Sequence, residues 1–338
     1  SREPGSTFKL ASIMAVLEDN YVSLDDTVDT ENGVVYYYDT KLTDVKPGGY
    51  GKISVKEAFI HSSNVGISKI ITRNYRKKPH QFIDRLYSMN LDDELGLEIR
   101  GEGDPLIKYP GDKYWSGISL PMMSIGYEVR LTPLQILTFY NAVANDGKMV
   151  KPMFVKQIRE HGRLVKSFDT KVINPAICSQ STIQKAQMLL KGVVQKGTAR
   201  NLRNANFKIA GKTGTAQIAN EKYGYMKESG ISYQASFVGY FPADDPKYSC
   251  IVVVNSPSKD VYYGNVVAGP VFREIAEKVY ATSFEMHDGL KLVQNENTVQ
   301  VPYTKHSHRQ ELTTALRKLG VEVNEKGLCR HHYRLLYR

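Results

Sequence analysis

The first part of the chain has apolar residues at a helical period. They recur at intervals of three and four residues from Leu10 to Leu17, and Pro4-Gly5 marks a turn just before them, which predicts a helix directly after that turn. The same period predicts helices over 55–70, 80–89 and 180–194. The polar stretch 20–51, rich in Gly and Asp, is instead predicted to be a surface excursion.

The second half of the chain changes from helical to strand-like patterns. Thr132 is a capping residue followed by Pro133, and Gly147 stands at the exit, which predicts a helix between them. Three β-rich runs then follow, with an amphipathic helix after them, at 207–218, 235–241, 248–255 and 269–280. The run 251–254 is apolar on both faces and predicts a covered central strand. Helices followed by consecutive strands indicate an α/β fold of the α+β type, an antiparallel sheet covered by helices.

Composition narrows the class of protein. The 338 residues carry 45 Lys and Arg against 35 Asp and Glu, and 41% are hydrophobic, as in ordinary globular domains and unlike disordered chains. No apolar run approaches the roughly 18 residues of a membrane span, and no signal-peptide pattern is present. Basic and aromatic residues do not interleave, so no nucleic-acid partner is predicted. The three cysteines are far apart with no CxxC pair, which predicts neither a metal site nor a disulfide framework.

The character of the sequence changes again near residue 284. Polar residues dominate 285–298, and the remainder contains one short helical run, a strand-like Val321-Glu-Val and a basic tail. We therefore expect a main domain over 1–284, a linker over 285–298 and a small C-terminal module over 299–338.

Ser6 and Lys9 stand three residues apart at the start of the first predicted helix, where they share one helix face. A serine hydroxyl needs an adjacent base to become a nucleophile, and lysine is a base only when burial or a second cation lowers its pKa. The helix N-terminus also offers unpaired N–H groups to an oxyanion. Taken alone, the pair is better explained as a capping Ser beside a surface Lys.

Two further segments add hydroxyl, amide and ammonium groups. Ser62-Ser63-Asn64 lies where a predicted helix meets a turn, and by itself it is a capping cluster. Lys212-Thr213-Gly214-Thr215 lies inside an apolar β run. Its polar groups suit a carboxylate, and Gly214 allows a strand-like peptide to approach closely, although an edge-strand Lys with a bulge glycine has the same pattern. In order, the segments form the S-x-x-K, S-x-N and K-T-G set of penicillin-binding proteins and class A β-lactamases.

With this set, the chain resembles the transpeptidase domain of class B penicillin-binding proteins, which cross-link peptidoglycan in cell division and elongation. The resemblance covers roughly residues 2–282, and residues 301–325 are similar to the start of a PASTA module. It rests on the stretches Glu3-Pro-Gly-Ser-Thr-Phe-Lys, His61-Ser-Ser-Asn-Val-Gly, Leu131-Thr-Pro-Leu-Gln, Ala144-Asn-Asp-Gly, Gly197-Thr-Ala and Gly211-Lys-Thr-Gly-Thr-Ala-Gln. The implied fold is the penicillin-binding-protein and serine β-lactamase-like transpeptidase fold.

The resemblance implies a role for each residue of the first two motifs. Ser6 is the acylated nucleophile and Lys9 its general base. Ser62 relays a proton towards the leaving amine, while Asn64 holds Lys9 and the substrate amide. The implied reaction is attack on the penultimate D-Ala of a stem peptide, loss of the last D-Ala and transfer of the acyl group to an amine of a neighbouring stem. β-Lactams acylate Ser6 as mimics of D-Ala-D-Ala.

The third motif is implied to bind the substrate. Lys212 lowers the pKa of its neighbours and attracts the terminal carboxylate, which Thr213 and Thr215 hydrogen-bond beside Gly214. Backbone N–H groups of Ser6 and Thr215 form the oxyanion hole. The resemblance implies no cofactor and no metal. Its expected partners are stem peptides, β-lactams, a peptidoglycan glycosyltransferase and division proteins, at the extracytoplasmic face of the bacterial inner membrane.

Other functions use the same residues. A D,D-carboxypeptidase differs only in taking water as the acceptor, and a β-lactam sensor or inactive binding module forms an adduct without turnover. A class A β-lactamase needs a deacylating Glu in an E-x-x-L-N pattern, and no such pattern occurs between Asn64 and Lys212. The Pro-Gly-Ser-Thr-Phe-Lys context and the PASTA-like segment favour the transpeptidase.

Only five residues precede Ser6, whereas members of this family have a helix and two strands there, preceded by a non-catalytic module and a membrane anchor. We therefore expect the sheet of residues 1–338 to lack about two strands and to expose an edge. The expected outcome is poor stability or poor activity of purified residues 1–338. Cooperative melting, together with penicillin labelling at an ordinary rate, would contradict it.

Overall fold

The structure, a computed structural model, describes residues 1–204, 206–218, 232–257 and 261–283, together with 286, 314 and 318. The chain forms two units, Ser1–Tyr280 and Ala281–Arg338. The predicted linker and PASTA-like module lie outside the described residues apart from those last three positions, so both remain predictions. No helix within the described part is long and apolar enough to cross a membrane.

The regular elements are given in chain order. The α-helices of the described residues are α1 (Lys9–Glu18), α2 (Val55–Ile60), α3 (Asn64–Tyr75), α4 (Pro79–Ser88), α5 (Ser119–Ser124), α6 (Pro133–Ala144), α7 (Gln180–Gln195) and α8 (Gly264–Thr282), with 3-10 turns at Gly5–Thr7 and Arg200–Leu202. The strands are β1 (Thr27–Asp29), β2 (Val34–Tyr37), β3 (Thr40–Thr43), β4 (Lys52–Ser54), β5 (Leu106–Ile107), β6 (Val129–Arg130), β7 (Met149–Val150), β8 (Gln157–Glu160), β9 (Arg163–Ser167), β10 (Val172–Asn174), β11 (Ala210–Gln217), β12 (Tyr233–Phe241) and β13 (Tyr248–Asn255).

Three long strands form the antiparallel sheet that the sequence predicts. The order is β11-β12-β13, with Gly214 opposite Ser236 and Phe237 opposite Val252. α6 packs against β12 and β13, and α7 packs against β11. The α+β prediction is therefore confirmed.

β13 lies at an edge of the sheet that the described residues form. Its apolar run 251–254 was expected in a covered central strand, but among the described residues β13 pairs only with β12 and its side chains are half-buried. β12 is the central and buried strand. A run that is apolar on both faces suits a strand covered by neighbours, and an exposed edge was expected for the sheet of residues 1–338.

The helical layer is organised around α1. All its residues from Lys9 to Leu17 are buried, with α2, α3, α4 and α7 packed around it. A helix surrounded on every side needs apolar residues all round, and α1 departs from that rule at Lys9 and Ser12. A lysine at the first position of such a helix is placed deep in the protein.

The aromatic contact between α8 and the sheet predicts a measurable loss of stability. Phe272 of α8 is fully buried, with its ring 4.7 Å from that of Phe237 and 5.8 Å from that of Phe241. Phe272→Ala is expected to lower the free energy of unfolding by about 3–5 kcal/mol, because it leaves a cavity. Urea titration measures this, with Ile275→Ala, 39% exposed on the same helix, as the control. Equal midpoints for the two variants would contradict the prediction.

Candidate active site

Ser6 lies in the 3-10 turn that leads into α1. Gly5 has φ +57°, a left-handed conformation that glycine adopts without steric cost. The turn is held on both sides, since the Gly5 N–H donates to Gly126 O at 3.0 Å and the Tyr140 hydroxyl donates to Thr7 O at 2.8 Å. Both contacts come from distant parts of the chain, so the conformation around Ser6 depends on the tertiary fold.

The same turn packs against β11. A Cβ atom added at Gly5 would lie 2.9 Å from Ala216 Cβ, and one added at Gly214 would lie 2.9 Å from Thr7 Cγ2 and 2.2 Å from Ser236 Oγ. Glycine at 214 therefore makes room for the protein's own nucleophile turn. The close approach of a strand-like ligand at Gly214 stays a prediction.

The second motif lies at a break between two helices. Ser62 has φ +57°, a left-handed conformation that is uncommon for a residue other than glycine and that interrupts the helix here. Ser63 then caps α3, where its hydroxyl accepts from Gly66 N at 2.8 Å. The predicted continuous helix over 55–70 is therefore wrong, because the capping side chain competes with the helical hydrogen bonds at this point.

Lys9 connects the first motif to the second. Its Nζ lies 2.7 Å from Ser62 O, 3.1 Å from Ser62 Oγ and 2.6 Å from Asn64 Oδ1. Charged Lys9 donates to all three oxygens, whereas the neutral amine donates to two and keeps a lone pair. The Asn64 amide is oriented by its other end, where Nδ2 donates to Thr43 O at 2.8 Å. Among the described residues no hydrogen bond joins Lys9 Nζ to Ser6 Oγ, so the contact that helical spacing predicts is not made in this structure.

Lys212 brings the third motif to the same hydroxyl. Its Nζ donates to Ser62 Oγ at 2.8 Å and to Thr213 O at 3.1 Å. Ser62 Oγ thus lies between two lysine amines, and a hydroxyl has two lone pairs to accept from both. Its own proton then remains available for transfer.

The charges of the two lysines are set by their burial. Lys9 and Lys212 are both fully buried. Burial lowers the pKa of Lys9 from 10.5 to about 7, against the opposing effect of the Asp44 carboxylate. Burial, and then the charge of Lys9, lower the pKa of Lys212 well below its ordinary value. At neutral pH the site therefore contains a neutral amine beside a hydroxyl, the condition under which lysine acts as a base.

One edge of β11 faces away from the sheet. The Ile218 N–H donates to Ser232 O at 2.8 Å, and antiparallel pairing alternates, so Thr213 and Thr215 turn their backbone N–H and C=O groups to the opposite edge. The N–H of Gln217, which has the same orientation, donates outward to a tyrosine hydroxyl at 3.4 Å. The edge beside Thr213 and Thr215 is suited to a strand-like ligand.

Two residues that hold the threonines were not predicted. Thr198 Oγ1 lies 2.9 Å from Thr213 Oγ1, and Gly264 N donates to Thr215 Oγ1 at 3.2 Å. Thr198 belongs to the stretch Gly197-Thr-Ala, which contributed to the family resemblance but was assigned no role. Gly264 was not expected near the site, because the last helix was predicted to begin at residue 269. In the structure α8 begins five residues earlier. In the described part of the chain no group of three His, Cys, Asp or Glu side chains is placed to hold a metal ion.

The lowered pKa of Lys9 predicts a pH-dependent stability difference. Between pH 7 and pH 10.5 the unfolded chain keeps the Lys9 proton and the folded chain does not, so wild-type stability rises with pH in that window. Lys9→Met has no titrating group at this position, so its free energy of unfolding lacks this rise. The free energy of unfolding of the wild type minus that of Lys9→Met is therefore expected to increase with pH in this window, by up to about 1.4 kcal/mol per pH unit. Urea unfolding at several pH values measures it. Lys77→Met, at an exposed position, is the control, and parallel curves for wild type and Lys9→Met would contradict the prediction.

Comparison with known proteins identifies the family. The sequence matches the penicillin binding protein transpeptidase domain over residues 1–277. Stage V sporulation protein D of Bacillus subtilis is 26% identical over 331 residues, 96% of this chain and 50% of that protein. Penicillin-binding protein PbpB of Mycolicibacterium smegmatis is 29% identical over 284 residues, 81% of this chain and 42% of that protein. The chain thus spans about half the length of these relatives.

Solved structures with the same fold agree with this match. Penicillin binding protein 3 of Mycobacterium tuberculosis, complexed with aztreonam, has a TM-score of 0.70 and 28% identity over 82% of this chain and 62% of that one. The TP domain of penicillin-binding protein 3 from Burkholderia pseudomallei has a TM-score of 0.68 and 26% identity over 84% and 80% of the two chains. The class B resemblance is confirmed, and this chain belongs to the penicillin-binding protein transpeptidase domain family.

Proposed function

We propose that this protein is a serine D,D-transpeptidase that cross-links peptidoglycan stem peptides. The observation that carries the proposal is the convergence of two buried lysine amines on Ser62 Oγ, beside the turn that bears Ser6. Relatives named as probable peptidoglycan D,D-transpeptidases, such as PbpC of Pseudomonas aeruginosa, at 28% identity over 275 residues, support the same reaction.

Acylation begins at Ser6. Its Oγ attacks the carbonyl carbon of the penultimate D-Ala, and its proton passes to the neutral amine of Lys9. The negative charge that develops on the carbonyl oxygen is stabilised by the N–H groups of Ser6 and Thr215, and the Thr215 N–H belongs to the free edge of β11. The C–N bond then breaks, and the leaving nitrogen of the last D-Ala takes a proton through Ser62.

The acyl group then passes to an amine. The acceptor nitrogen attacks the ester carbon at Ser6, loses a proton to the lysine pair, and a proton returns to Ser6 Oγ as the ester bond breaks. Lys9 and Lys212 share Ser62 Oγ, so a proton accepted by one amine reaches the other through that hydroxyl. The site returns to its starting charge after each transfer.

The substrate is expected to bind as an additional strand on β11. Its C-terminal carboxylate is hydrogen-bonded by the hydroxyls of Thr213 and Thr215, which Thr198 and the start of α8 hold in place. Lys212 Nζ is turned towards Ser62, so its attraction for the carboxylate acts through space, and a bound anion favours its charged form. β-Lactams are proposed to enter the same position and to acylate Ser6.

The cellular location of this activity and its partner proteins are part of the same proposal. Peptidoglycan stem peptides lie outside the cytoplasmic membrane, so the domain is proposed to work at the extracytoplasmic face, in a protein held there by an N-terminal anchor. A peptidoglycan glycosyltransferase and cell-division proteins are its proposed partners, because strand polymerisation supplies the stems that this reaction joins.

Ser6-dependent labelling by penicillin tests the proposal. The full-length protein is expected to form an adduct with fluorescent penicillin that survives denaturing electrophoresis, and Ser6→Ala is expected to abolish it, because no other residue supplies the nucleophile. Ser12→Ala is the matched control, since Ser12 lies in α1, after the turn that bears Ser6, and within the described residues its hydroxyl donates to Ser124 O. Its labelling is expected to equal that of the wild type.

The same preparation separates the alternative functions. Rapid loss of the label would indicate a β-lactamase, and labelling that persists in Ser6→Ala would overturn the assignment of the nucleophile. Incubation with a stem peptide and an amine acceptor should give the cross-linked product. Release of D-Ala without cross-linking would indicate a carboxypeptidase, and no turnover would indicate a sensor.

A further inference from the structure

We propose that Asp44 is a positioning residue for the reaction, whose carboxylate holds the second motif in the geometry that Lys9 requires. The inference rests on the function proposed above and adds a residue that none of the three motifs contains. Asp44 follows β3 directly and comes from the polar stretch that the sequence predicted to be a surface excursion.

Both carboxylate oxygens of Asp44 are committed to the second motif. Ser63 Oγ lies 3.0 Å from Oδ1 and 2.9 Å from Oδ2, and the Val65 N–H donates to Oδ1 at 3.0 Å. The backbone of Asp44 is itself anchored, because its N–H donates to Gly33 O at 2.9 Å. The carboxylate is therefore held by the β2–β3 hairpin and binds the first turn of α3, where unpaired N–H groups favour an anion.

These contacts bear on both residues that bind Lys9. Ser63 stands between Ser62, with its left-handed backbone, and Asn64, whose amide oxygen accepts from Lys9. Ser63 Oγ donates to Asp44 and accepts from Gly66, so the residue between Ser62 and Asn64 is fixed at its side chain. Restraint of this kind is what a conformation of higher energy needs in order to persist.

The residue before Asp44 acts on the same motif. The Thr43 carbonyl accepts from Asn64 Nδ2 at 2.8 Å, which turns the amide oxygen towards Lys9. Thr43 thus holds the Asn64 side chain, while Asp44 holds the Ser63 hydroxyl and the backbone N–H of Val65. A displacement of the hairpin end would move the acceptors of Lys9 away from it.

Asp44 also acts through its charge. The titratable side chains that act on Lys9, within the described part of the chain, are Asp44 from the hairpin end, through its negative charge, and Lys212 from β11, which shares the Ser62 hydroxyl, while Ser6, Ser62 and Asn64 carry no charge. The negative charge of Asp44 raises the pKa of Lys9 against the effect of burial. Its removal would therefore lower the pKa of Lys9 further, so the neutral amine would persist to lower pH.

The test compares Asp44→Asn with Asp39→Asn in the full-length protein. Asp39 lies exposed between β2 and β3, so its substitution removes the same charge from the same hairpin without touching the site. The rate of acylation by fluorescent penicillin is measured from pH 5 to pH 9. Asp44→Asn is expected to lower the plateau rate about tenfold or more, because the lysine acceptors are displaced, and to move the acidic limb of the profile to lower pH. Asp39→Asn should match the wild type in both respects.

A second measurement keeps this inference separate from the proposed function. The titration of Lys9 is followed by NMR of protein with 13C-labelled lysine, which needs no turnover, and the pKa of Lys9 is expected to be lower in Asp44→Asn than in Asp39→Asn. A wild type that forms no Ser6 adduct would refute the proposed function, while the NMR titration would still decide the role of Asp44. Equal profiles and equal Lys9 titrations in the two variants would overturn the inference. A lower plateau with a lower melting temperature but no shift of either titration would also overturn it, since that is the result of a purely structural role.

Discussion

The site depends on two lysine amines that share one serine hydroxyl inside the protein. Neither Lys9 nor Lys212 reaches solvent, and two ammonium charges on the same oxygen repel each other, so at least one amine is neutral near pH 7. This arrangement is costly, because a buried amine with a lowered pKa destabilises the folded state whenever it is charged. The same burial leaves an uncharged lysine amine that can act as a base at neutral pH.

The rest of the fold keeps the residues of the site in backbone conformations that they would not hold on their own. Gly5 and Ser62 both have left-handed backbones, and each is restrained by bonds from distant segments, Gly5 through Gly126 and Ser62 through the neighbours that Asp44 binds. The apolar packing around α1 excludes water from Lys9, which is why its pKa falls. Site geometry and site electrostatics therefore have the same origin, the burial of the first turn of α1.

The free edge of β11 supplies the other half of the chemistry. Its alternating pattern leaves the backbone groups of Thr213 and Thr215 unpaired with β12, while the side chain of Lys212 turns towards Ser62. One strand thus presents hydrogen bonds to a peptide and an amine to the proton relay. The glycine between the threonines serves the packing of the nucleophile turn.

Local sequence determined a large part of this protein. The capping residues of α6, the helical period of α1 and the β-rich runs of the sheet follow from interactions between near neighbours, and the three motifs identified the chemical groups and the family. Only the tertiary structure decided what those groups touch. Lys9 and Ser62 are 53 residues apart and Lys212 and Ser62 are 150 apart, and the first helix was expected to direct Lys9 to Ser6, three residues away. The roles of Asp44 and Gly214 were likewise invisible in the sequence, because burial and long-range contacts arise only when separate elements pack together.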